Sequence, residues 1–125
     1  MESKVKNWAG KSNLLDQDNK SKFYAIEKQT GFQALMLDIK FANGNFQALP
    51  YSFITKITFN PSIAIEIFTT EEKCKIEGRN LIQIYNQLLK HRVTFIKETE
   101  SEFDDTEESE CYIEKISIEP LSIEI

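Results

Sequence analysis

One histidine, two cysteines far apart in the chain and a single Gly-Arg-Asn triplet are the residues best equipped for chemistry here. His91 would need cysteines or carboxylates to complete a metal site, yet Cys74 and Cys111 show no C-x-x-C spacing. Asp16, Asp18 and the acidic residues of 104–110 lack the D-x-D-x-D-G order of a calcium loop. No serine or cysteine stands on a strand-turn-helix elbow beside a base, so no catalytic residue is nominated. Cys74 lies between Lys73 and Lys75. On a strand those neighbours project to the opposite face, which predicts a buried structural thiol rather than an activated one. Gly78-Arg79-Asn80 precedes a helical pattern. Unpaired N–H groups there, with the Arg79 guanidinium as clamp, would suit a phosphate or carboxylate. The glycines of a Walker loop or dinucleotide fingerprint are missing, so the competing reading is a turn glycine, a solvated arginine and a helix cap. Arg79, Asn80 and the strand residue Lys40 are the candidate ligand-binding set; no metal and no cofactor is implied.

The elements that must carry these residues are short strands and one helix. Apolar side chains alternate from Leu35 to Phe41 and from Phe53 to Phe59, the two-residue period of half-buried strands. Asn43-Gly44 between alternating runs predicts a two-residue type I′ turn. That register sets Phe41 opposite Phe46, Lys40 opposite Gln47 and Ile39 opposite Ala48, with Phe41, Phe46, Phe53 and Phe59 all inward. Pro50 ends the second strand. A third strand, Phe53 to Phe59, turns at Asn60-Pro61-Ser62 into a fourth, Ile63 to Thr69, and a fifth follows from Lys73 to Glu77. Leu81, Ile84, Tyr85, Leu88 and Leu89 then fall on one helical stripe. Asn80 is the expected N-cap with Gln83 as its capping-box partner, and Gly78 the flexible joint before it. Lys90, His91 and Arg92 occupy the last turn, where positive charge suits the helix end. Val93 to Ile96 reads as a sixth strand.

The expectation is an α+β domain, a mainly antiparallel meander of five to six strands curled as a roll or open barrel, with one packed amphipathic helix. Residues 32–98 make that domain, 1–31 a flexible N-terminal arm, 99–110 an acidic linker and 111–125 a strand-like tail. The chain has 125 residues and a net charge of −5. From position 98 onward eleven acids face Lys115 alone, so the body itself is mildly basic. That is short of the basic face of a dedicated nucleic-acid binder. No run approaches a membrane span, the start lacks a secretory h-region, and two cysteines make no disulfide framework, so a cytoplasmic location is expected.

The strings Leu37-Asp38-Ile39-Lys40-Phe41 with Gly44, Ala48-Leu49-Pro50-Tyr51, Gly78-Arg79-Asn80-Leu81 with Tyr85, and His91-Arg92-Val93 resemble a group of small bacterial proteins that carries no assigned activity. The likeness spans about residues 33 to 98 and implies no site residue. The functional expectation is a non-enzymatic interaction module, binding protein or a second copy through a sheet edge and the tail residues Leu121, Ile123 and Ile125. Phe103 would be an anchor within the acidic tract. The alternative is a binder of small anions or nucleic acid at the Arg79 helix N-terminus, with the acidic tail as competitor.

Overall fold

The computed structural model describes residues 21–61, 64–100 and 107–121. Among the described residues eight strands are present: β1 Tyr24–Ile26, β2 Met36–Lys40, β3 Phe46–Pro50, β4 Ile54–Asn60, β5 Ala64–Thr69, β6 Glu72–Arg79, β7 Val93–Lys97 and β8 Tyr112–Pro120. Helix α1 (Ile82–Leu89) separates β6 from β7. The strands form two four-stranded sheets, ordered β1-β7-β2-β3 and β4-β5-β6-β8. All neighbours are antiparallel except β2 and β7, and neither sheet closes into a barrel. A parallel pair needs a long crossover. Here the whole β3-β4-β5-β6-α1 stretch lies between the two strands.

One apolar core serves both sheets and the helix. Leu37, Ile39, Ile65, Ile67, Ile76, Ile84, Leu88, Ile96 and Ile113 are fully buried within it. Each such side chain contributes about 1.5–3 kcal/mol relative to exposure, which makes this interior the main stabilising term. The predicted inward phase holds for Ile65 and Ile67 on β5 and for Cys74 and Ile76 on β6. It holds as well for Leu81, Ile84 and Leu88 along the helix stripe, whereas Leu89 is exposed.

The first hairpin departs from the expected turn. Gly44 N–H donates to the Phe41 carbonyl at 3.0 Å and Phe41 N–H to the Asn45 carbonyl at 2.9 Å, enclosing a three-residue loop. Gly44 has φ +93 while Asn43 stays at negative φ, which is a type I turn followed by a left-handed glycine. Asn43 Oδ1 accepts the Asn45 N–H at 2.9 Å and fixes the loop. Pairing therefore slips by one residue: Leu37 faces Leu49, Ile39 faces Gln47 and Lys40 faces Phe46. The slip buries Leu37 with Leu49 and turns Phe46 outward, 64% exposed. Phe53 is also outward, because Tyr51–Phe53 forms a 3-10 turn and a bulge between Ile54 and Lys56 swings Ile54 inward instead.

Both flanks contribute strands. β1, inside the stretch read as a flexible arm, pairs with β7, and Phe23 and Tyr24 are buried. The tail's β8 pairs with β6 of its own chain from Tyr112 to Pro120, burying Ile113 and Ile116. Gly78 is a strand residue here rather than a joint: a Cβ on it would meet the Tyr112 carbonyl of β8. Helix α1 has Leu81 at its N-cap position and no side-chain cap. Asn80, at φ +56, is no N-cap; its side chain serves the 107–110 turn instead.

Candidate functional site

The nominated residues are drawn into the fold itself. Arg79 Nη2 donates to the Glu107 carbonyl at 3.3 Å, and the guanidinium lies 4.5 Å from the Tyr112 ring centre. Asn80 Nδ2 donates to the carbonyls of Glu108 and Glu110, the latter at 2.9 Å. Both side chains thus fasten the turn that delivers β8 to its sheet. Lys40 lies in the other sheet, so the three residues belong to two different regions. Leu121 is half-buried and its N–H donates to the Glu71 carbonyl at 2.8 Å. Phe103, Ile123 and Ile125 lie outside the described residues.

The remaining chemistry-bearing groups are structural. Cys74 is buried and its thiol is pushed up to about 12, by desolvation first and by the Glu72 carboxylate second. Burial likewise raises the half-buried Cys111 to about 12, against the opposing pull of Arg79. Neither is a thiolate near neutral pH. His91 stacks on Tyr51 at 4.7 Å between ring centres, and the Tyr51 hydroxyl donates to the Val93 carbonyl at 2.7 Å. Arg92 donates to the carbonyls of Glu27, Gln29 and Phe32, pinning the loop after β1. Among the described residues no group of three or more His, Cys, Asp or Glu is placed to hold a metal ion.

Among the described residues the far edge of the first sheet has no strand beside it. Each sheet has two terminal strands, and three of the four are guarded. β1 is only three residues long, between Lys22 and Glu27-Lys28. β4 carries the bulge and Lys56. Along β8, the Glu98 carboxylate accepts the Ile116 N–H at 3.1 Å and Thr99 N–H donates to the Ile113 carbonyl at 3.0 Å. Pro120 offers no N–H at that strand's end. Among the described residues β3 has no bulge, no lysine and no side chain bonded to its free edge, and only Pro50 at its end withholds an N–H. Its sequence Phe46-Gln47-Ala48-Leu49-Pro50 carries no charge and its pairing is regular.

The hydrogen-bonding side of β3 follows from its neighbours. The Asn45 carbonyl and the Tyr51 N–H both bond to the β2 side, to Phe41 and Leu35. Backbone polarity alternates along a strand, so the groups of Phe46 and Ala48 point to the free edge, whereas the Pro50 carbonyl accepts the first bond of the 3-10 turn it caps. Side chains on the sheet's outer face continue this surface: Phe46 and Ala48 are exposed, and Met36 is 44% exposed. Lys40 Nζ sits 5.3 Å from the Phe46 ring centre and 4.4 Å from that of Phe95. The sequence already displayed the absence of charge between Phe46 and Pro50. What hid the site was the assumed two-residue turn, which sent Phe46 inward.

No family model, curated protein or solved structure matches this chain. The likeness to small bacterial proteins gains nothing from these comparisons.

Proposed function

We propose that this chain is a non-catalytic protein-interaction module that receives an extended partner segment along β3. The observation that carries this reading is the uncharged edge of β3, which has no strand beside it among the described residues while the other three edges are guarded. An added strand would bond to the outward N–H groups and carbonyls of Phe46 and Ala48. Its alternate side chains would lie beside Phe46, Ala48 and Pro50. The tail residues around Leu121 are not needed for this, since β8 already completes the chain's own second sheet. A cytoplasmic setting suits two free cysteines and no disulfide. No helix among the described residues is long and apolar enough to cross a membrane.

Selection of displayed extended peptides on the parent chain, counter-screened on Ala48→Lys, tests the reading. Peptides that bind the parent, lose binding to Ala48→Lys and slow amide exchange at Phe46 and Ala48 are the expected result. Absence of any edge-dependent ligand would refute it.

A second reading rests on Lys40 between the Phe46 and Phe95 rings: an anionic ligand or single-stranded nucleic acid lying across the outer face. Arg79 and Asn80 support it poorly, being engaged with carbonyls of their own chain. Oligonucleotide binding that weakens steeply with salt and is lost in Lys40→Ala would favour it over an added strand.

A further inference from the structure

Resting on the edge-binding reading, we infer that the segment β3 receives is β3 of a second copy, paired antiparallel about a two-fold axis through Ala48. The strand is complementary to itself in this register. Ala48 N–H donates to the carbonyl of Ala48 in the other copy, and the reverse bond closes the pair. Phe46 N–H reaches the carbonyl opposite it, that of Pro50, only as a second donor beside the N–H of the 3-10 turn that this carbonyl caps. The missing N–H of Pro50 falls at the ends of the joint, so the Ala48 pair supplies the two bonds that join otherwise open groups.

Side chains agree with this pairing. On the outer face the exposed Phe46 ring of each copy comes beside the Pro50 ring of the other, with the two Ala48 methyls between them. On the inner face Gln47 comes beside Leu49. No charged residue stands anywhere on the strand, so two identical copies meet there without like charges opposed, although each chain carries −5 overall. Isologous contact of this kind closes at two copies and joins two four-stranded sheets into one of eight. The other edges do not offer it. A two-fold about β4 would bring bulged, lysine-bearing strands together, and one about β8 would displace Glu98 and Thr99.

Light scattering and sedimentation of the full chain, over roughly a hundredfold range of concentration, read the outcome directly. The expected mass is twice the 14.5 kDa of one chain. Ala48→Lys places two ammonium groups at the axis and should return the single-chain mass, with an unchanged circular dichroism spectrum because residue 48 is exposed. Ala48→Cys should give a disulfide-linked dimer on mild oxidation, since Cα atoms of a hydrogen-bonded antiparallel pair lie about 5.5 Å apart. Ala42→Cys, in the hairpin loop, should not. A parent chain that stays at single-chain mass overturns the inference, as does a dimer that survives Ala48→Lys. If that single chain still binds extended peptides at Ala48, only the identity of the partner is wrong; if it binds none, the edge reading falls as well.

Discussion

Among individual residues, the polar groups that look most like chemistry are spent on holding backbone. Arg92 gathers three carbonyls of the 27–32 loop, Asn80 two of the 107–110 turn, and Glu98 joins the sheets by accepting N–H groups from Ala42 at 2.8 Å and Ile116 at 3.1 Å. A charged partner suits such work because its hydrogen bonds are roughly twice as strong as neutral ones. Cys74 is the opposite case, a titratable group kept neutral by burial. Its thiol sits near 9.0 when unfolded and about 12 when folded, so the unfolded chain loses its proton first as pH rises. The contribution is complete below pH 9 and declines between 9 and 12 by up to about 1.4 kcal/mol per pH unit. Urea unfolding across this window should show alkaline destabilisation that is shallower in Cys74→Ala, measured against each protein's own stability at pH 8. Equal slopes would mean that the thiol ionises freely in the native state.

Elements show how far pattern alone reaches. α1 ends in a Schellman turn: His91 N–H donates to the Leu88 carbonyl and Arg92 N–H to that of Gln87, each at 3.0 Å, with His91 at φ +58. That position favours glycine, and an L-residue there costs about 1–2 kcal/mol. The Tyr51 stack offsets part of it, aromatic pairs being worth about 0.5–1.5 kcal/mol. His91→Ala keeps the backbone cost and loses the stack, whereas His91→Gly loses both. Thermal or urea denaturation should therefore rank Gly above Ala by about 1 kcal/mol, with Gly close to the parent. The inverse order would remove the left-handed strain from the account. The helix face and the inward rows of β5 and β6 were legible because isoleucines and leucines repeat there at a single period. The β2–β3 register was not, since Asn-Gly serves both a two-residue turn and a three-residue loop, and only burial of Leu37 against Leu49 decides. β1 was hidden by brevity: Tyr24-Ala25-Ile26 is too short to show alternation. At the candidate site, the residue types Arg79, Asn80 and Lys40 could be read, but their partners could not. Those arrive from 28 or more positions away at Arg79 and Asn80, and Phe95 reaches Lys40 across a parallel pairing.

For the molecule as a whole, the acidic C-terminal part divides into a connection and a strand that the core requires. β8 supplies Ile113 and Ile116 to the interior and covers the side of β6 that holds Cys74 and Ile76. Glu98 and Thr99 then tie β8 back to the end of the first sheet. Emptying the space of one buried isoleucine costs about 2–5 kcal/mol. Removing two, together with eight paired residues of the ladder, approaches the 5–15 kcal/mol that typically holds a domain folded. A chain ending after Glu98 would also leave β6 as a new open edge, bearing Glu72, Lys73, Lys75, Glu77 and Arg79 yet with its inward isoleucine and cysteine uncovered on one side. Such a chain should lose near-ultraviolet circular dichroism and cooperative melting, and expose surface to a hydrophobic dye. Were it instead to melt sharply at the parent's temperature, the second sheet would have to be self-sufficient without β8, and the tail would again be free to serve a partner.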